Sequence, residues 1–225
     1  MVFGGPVKIG VLGGIGPEAT AEFYRKLVNK LQERGLIRSN TDFPQIVINS
    51  IPAPELTGES VSKEEIEPYA AGLRELDSLN ADFIVMVCNT IHLFYNELQR
   101  YVKAQIIDLR KEVMIAAGEN AVVMGTLSTV KSGMYGRGIG LEEAKLLSRA
   151  VFEFNRGEDK EKQKRIATKI YRKYAKSATV IFGCTEIALM LNGEKGVNTI
   201  DVLVDATIRN YIKVKKLKLG CKNAA

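Results

Sequence analysis

The chain has 225 residues, 46% hydrophobic and 26% charged, the balance of an ordinary globular protein forming one domain or two small ones. Its net charge of +6 comes from basic runs at 160–176 and 213–218, while aromatics are 7% and Trp is absent, which argues against a stacking surface for nucleic acid and reads as solvated helix faces. No run of about 18 apolar residues is present for a membrane span, the first eight residues lack a signal-peptide layout, and three cysteines with one histidine, without paired metal-ligand spacing, leave little room for a structural metal. A cytoplasmic protein with free thiols is the expectation.

In chain order, residues 7–12 predict a strand, 13–17 a glycine-rich tight turn, and the segment from Pro17 to about 34 a helix with Ala19, Phe23, Leu27 and Leu31 on one face. A strand at 45–50 leads into a proline-containing loop, then a helix over 63–79, a strand over 83–87 ending in Cys88, and a helix from 91 to 103. A short strand at 106–108 and a helix at 109–117 follow. The strand at 121–125 opens a second cycle, with Thr126, Ser128 and Thr129 in a hydroxyl-rich loop. Helices at 141–156 and 159–175, a strand at 178–183 ending in Cys184, a helix at 185–191, a strand at 197–200 and a last helix from 202 to 216 complete the pattern. Such alternation predicts α/β architecture with parallel sheets. The expected division is residues 1–104 with 202–225 as one half, the last helix packing back, and 105–201 as the other.

The strand–Cys pattern occurs twice: Cys88-Asn89-Thr90 and Cys184-Thr185-Glu186. A single cysteine at a strand end is usually a small buried hydrophobe. Two in matching positions, at the strand ends where α/β sheets bind ligands, point instead to one cleft with a thiol on each wall. A thiol at a helix start is expected to ionise more readily. Asn89, Thr90 and Thr185, joined by Thr126, Ser128 and Thr129, offer donors for a carboxylate whose charge grows as an α-proton leaves. His92 and Glu186 are placed to tune or relay a proton to their neighbouring cysteines. Asp108 and Asp201 end matching strands as loop anchors or helix caps. Cys221 lies in the basic tail and is incidental. The Gly14-x-Gly16-x-x-Ala19 spacing formally matches a dinucleotide fingerprint, but the second strand ends in Asn49-Ser50 rather than the required acid. A turn at Gly14 presenting backbone amides to a small anion is preferred.

Residues 10–20 (GVLGGIGPEAT), Cys88-Asn89-Thr90-Ile91-His92 and Gly183-Cys184-Thr185-Glu186-Ile187 resemble the aspartate/glutamate racemase family, closest to its aspartate racemase branch. The resemblance implies two similar α/β domains related by a pseudo-twofold, with the site between them, and a homodimer. It implies racemisation without pyridoxal or metal, Cys88 and Cys184 alternating as thiolate base and thiol acid. Asn89, Thr90, Thr129 and Thr185 would hold the substrate carboxylate, and an acidic amino acid is favoured. Two departures stand out. Leu56 aligns where aspartate-specific relatives carry a carboxylate-gripping arginine, leaving Arg156 or Arg137 to supply the charge. The stretch from Thr129 to Val151 is too short for the strand relatives have there. The rival readings are a thiol-dependent isomerase or decarboxylase of a small dicarboxylate, and a silent module that binds an anion or forms a disulfide.

Overall fold

The computed structural model describes residues 5–54, 56 and 62–222, with backbone alone for Lys63, Cys221 and Lys222. Four parallel strands form the first sheet: β1 (Lys8–Gly13), β2 (Gln45–Ser50), β3 (Phe83–Met86) and β4 (Gln105–Ile106), in the order β2-β1-β3-β4. Three form the second: β5 (Ala121–Met124), β6 (Thr179–Phe182) and β7 (Val197–Asn198), in the order β5-β6-β7. All pairings are parallel. The expected parallel-sheet α/β class is therefore what the chain adopts.

Crossovers between these strands are helical, as parallel pairing requires. Helices α1 (Pro17–Glu33) and α2 (Lys63–Ser78) serve the first sheet, followed by the single turn α3 (Tyr95–Leu98) and by α4 (Leu109–Ala117). The second sheet carries α5 (Leu127–Ser132), α6 (Leu141–Asn155), α7 (Lys160–Tyr174), α8 (Thr185–Met190) and the long α9 (Thr199–Lys222).

Parity along β3 explains how the first sheet is sandwiched. Phe83, Val85 and Val87 face one apolar cluster; Ile84 and Met86 face another, with Cys88 packed on the same side. The first cluster is shared: it runs from Phe23 and Leu27 of α1 through Ile208 of α9 to Val180 and Ile181 of β6. Helix α9 lies along α1, where Asp201 accepts from Lys26 and Asp205 accepts from both Lys30 and Arg34.

Three local expectations are corrected. The helix expected over 91–103 is instead a 3₁₀ turn (Thr90–Phe94), the short α3 and a second 3₁₀ turn (Gln99–Tyr101). Side chains bind backbone carbonyls at the two ends of this stretch: His92 Nδ1 lies 2.7 Å from Cys88 O, and Gln99 donates to Val102 O and Ala104 O. The hydroxyl-rich loop is the start of α5, with Thr126 as its N-cap residue. The last helix starts at Thr199, so the strand expected at 197–200 is two residues long. No strand lies between Thr129 and Val151 among the described residues, as the short spacing implied. A remnant persists: Val123 donates to Arg137 O and accepts from Ile139 N, an isolated bridge beside β5.

Candidate active site at the carboxyl ends of the two sheets

Neighbouring strands deliver neighbouring turns. Leu12 of β1 pairs with Met86 of β3, and Val87 N donates to Leu12 O, so the turn after β1 and the Cys88 turn lie side by side. Met124 of β5 pairs with Phe182 of β6, and Gly183 N donates to Met124 O, which sets Thr126 beside Cys184. The four turns enclose a cleft of about 430 Å³, within the usual range for a small-molecule site. Cys88 and Cys184 both line it, with Gly14, Thr90, Thr126 and Glu186 among the residues singled out from sequence.

Two positions of the β1 turn have no side chain, and each admits a close neighbour: Gly14 one from its own sheet, Gly16 one from the opposite half. Gly14 adopts φ +85°, and a Cβ there would stand 2.4 Å from Ile51 O. Gly16 adopts φ +77°, and a Cβ there would stand 1.6 Å from Glu186 Oε1. Only glycine takes this backbone without strain and leaves that volume to a carboxylate from the second half. Pro17 then starts α1 without a side-chain cap.

Glu186 is 4% exposed and reaches back over its own turn. Its Oε2 accepts from Cys184 Sγ at 2.9 Å and from Thr185 Oγ1 at 3.1 Å. Burial, then the charge and hydrogen bond of Glu186, push the Cys184 thiol well above its ordinary range, with Cys88 adding to the rise. The expected early ionisation at a helix start is overridden here, because desolvation and a neighbouring carboxylate both oppose a second negative charge. Cys184 is therefore held as a thiol. Cys88, at the other wall, is half-buried, and neither of these two cysteines is in a disulfide.

A hydroxyl cluster bridges the halves: Thr129 Oγ1 lies 3.3 Å from both Thr90 Oγ1 and Thr126 Oγ1. Thr90 and Thr126 face the cleft, whereas Thr129 is buried behind them. Thr185 is likewise spent on Glu186. The Asn89 side chain lies outside the cleft: its Oδ1 accepts from Tyr135 OH at 2.7 Å and its Nδ2 donates to Thr199 Oγ1 at 2.9 Å. That amide is a strut between the halves. Burial, and next the charge of Cys88, push the Tyr135 phenol upward, so it stays a donor.

His92 is fully buried, with Nδ1 on Cys88 O and Nε2 3.3 Å from Ile107 O. Desolvation holds its pKa below the ordinary value, so it is a neutral clamp on the Cys88 backbone. Arg156 lies outside the cleft: it caps α6, pairs with Glu158 at 3.1 Å and stands over Phe152. Arg137 is exposed and does not line the cleft. Asp108 caps α4, accepting from Arg110 N, and Asp201 sits in the first turn of α9. The side chain of Cys221 lies outside the described residues.

The sequence reading missed part of the lining. Lys145, Ser148, Val151 and Asn155 form one stripe of α6 facing the cleft; their 3-3-4 spacing was the available signal. Ser148 Oγ also accepts from Leu127 N, tying α6 to α5. Tyr69 and Ala53 join from the first half, and Leu56 lies in the lining, its carbonyl accepting from Ser128 Oγ at 3.2 Å.

Residues 12–208 match the family model described as Asp/Glu/Hydantoin racemase. A broad-specificity amino-acid racemase of Bacillus subtilis is 29% identical over 131 residues, 56% of this chain and 58% of that protein, so the match spans little more than half of the relative. Among solved structures, an aspartate racemase of Picrophilus torridus superposes with TM-score 0.74 at 18% identity, covering 91% of this chain and 94% of that one. An aspartate racemase homologue of Pyrococcus horikoshii gives 0.64 at 24%, covering 92% and 98%. A glutamate racemase of Thermus thermophilus gives 0.59 at 18%, covering 94% and 82%. With the family model matching most of its length, the chain belongs to the Asp/Glu/hydantoin racemase family.

Proposed function

We propose that the protein is an amino-acid racemase that inverts the α-carbon without a cofactor, using Cys88 and Cys184 as its two acid–base groups. The observation that carries this reading is the lining of a single cleft by both thiols, one from the carboxyl end of each sheet. An α-proton leaves one face of the carbon for a thiolate while the opposite thiol donates to the other face. The carbanion formed between these events delocalises into the substrate carboxylate, where Thr90 and Thr126 supply hydroxyl donors to the growing charge. Cys184, held protonated by burial and Glu186, starts as the acid; Cys88 starts as the base.

Aspartate and glutamate, which the family resemblance favours, are the first substrates to test, and the broad-specificity relative justifies a wider panel. The homodimer and cytoplasmic setting belong to the same proposal, and a mass measurement in solution tests the dimer. Chiral chromatography of reactions lacking pyridoxal and metal tests the activity. Cys88→Ala and Cys184→Ala should each lower racemisation by roughly 100-fold or more, the usual range for an acid–base group. Unchanged turnover in either variant overturns the reading.

A further inference from the structure

We propose that this cleft selects a neutral, apolar amino acid over an acidic one, an inference that rests on the racemase reading above. Its wall is apolar on both sides: Ile15, Ala53, Leu56 and Tyr69 from the first half, Leu127 and Val151 from the second. Ile15, Ala53 and Cys88 pack against the cluster that contains Leu56 and Tyr69. A substrate carbon that reaches Cys88 therefore carries its substituent along hydrocarbon. Leu56 is 8% exposed, and its backbone is pinned across the cleft by Ser128, so it forms a fixed part of that wall.

The charged lining does not suit a second carboxylate. Among the described lining residues the ionisable acid is Glu186, against Cys184, and the single cation is Lys145. Lys145 stands on α6 with its side chain 56% exposed and its ammonium 2.7 Å from Glu142, so it belongs to the rim. The hydroxyls of Thr90 and Thr126 provide for one carboxylate, the one on the reacting carbon. A second, on the side chain of aspartate or glutamate, would meet mostly hydrocarbon: the Ser128 and Ser148 hydroxyls already donate to Leu56 O and Ala144 O, and the neutral Asn155 amide stands exposed at the edge, which argues for discrimination of roughly tenfold or more.

The test is Cα–H exchange in deuterium oxide by the full-length protein, read by NMR for leucine, methionine, phenylalanine, alanine, aspartate and glutamate as separate enantiomers. The expected result is a kcat/KM for the best neutral amino acid at least roughly tenfold above aspartate and glutamate. Leu56→Arg should raise aspartate relative to leucine by a similar factor; the panel on the unmodified protein decides even where that variant does not fold. An acidic substrate handled as well as the best neutral one, with its rate lost in Lys145→Ala, overturns the inference. Should no amino acid exchange, the racemase reading falls by itself, and calorimetric titration with leucine and aspartate decides the cleft's preference. Tighter leucine then upholds the inference, whereas equal or tighter aspartate, or no binding of either, overturns it.

Discussion

At the scale of single residues, the contact between Gly16 and Glu186 sets the chemistry of one thiol. The carboxylate occupies the place of a missing Cβ and accepts the Cys184 hydrogen. Gly16→Ala should therefore cost more than Gly136→Ala, which has a similar φ of +82° but open space where its Cβ would lie. Both carry the left-handed penalty of about 1–2 kcal/mol. Thermal melts should show the excess in Gly16→Ala alone, together with lost turnover; equal costs would mean that Glu186 yields freely. Glu186→Gln tests the electrostatic side. The carboxylate charge and its hydrogen bond both raise the Cys184 pKa, so removing the charge lowers it, and alkylation of Cys184 by iodoacetamide should begin at lower pH than in the unmodified protein. Peptide mass spectrometry resolves Cys184 from Cys88 and Cys221. An unmoved or upward-moved alkylation profile would assign the shift to burial alone.

At the scale of elements, the strands were readable because apolar, β-branched runs ending in Gly or Cys are the mark of buried parallel strands. The repeat of a cysteine at two such strand ends is what pointed to one cleft, and both Cys88 and Cys184 line it. What stayed hidden was the allocation of polar side chains. Asn89, Thr129, Thr185 and His92 carry polar groups of the same kinds as the side chains that face the cleft. Whether an amide faces a cleft or a neighbouring tyrosine depends on contacts across 46 or 110 residues of chain, which local pattern does not encode. The Tyr135–Asn89–Thr199 link then has a measurable role as a strut. Asn89→Ala leaves the buried Tyr135 phenol without its acceptor, a cost of about 1–3 kcal/mol for an unpaired group, and takes one of two bonds from the buried Thr199 hydroxyl, which keeps its donation to Phe182 O. Urea unfolding should show a lowered midpoint with an unchanged slope. A cost below about 0.5 kcal/mol, within the range of ordinary surface substitutions, would mean that the phenol finds another acceptor.

At the scale of the molecule, the two sheets share one apolar core, and α9 seals it against α1. Charged pairs decorate that seam, yet pairs this exposed contribute only about 0–1 kcal/mol each. Packing should dominate: Ile208→Ala, fully buried, is expected to cost about 2–5 kcal/mol, and Asp205→Ala, which removes two such pairs, at most about 2 kcal/mol. The reverse order in urea titrations would make the ion pairs the fastening. The α/β class and the family were legible from sequence because whole motifs repeat; the inward stripe of α6 was not, since 3-3-4 spacing marks a helix face without saying what it faces. A shared core ties the two walls of the cleft together, which the proposed proton transfer to opposite faces of one carbon requires. The most direct measurement of that arrangement is Cα–H exchange in deuterium oxide by the two single variants, each given both enantiomers of the best substrate. Cys88→Ala should exchange one enantiomer and Cys184→Ala the other, neither producing the mirror image. Exchange of both enantiomers by one variant, or racemisation at the unmodified rate by either, would contradict a proton carried between two thiols.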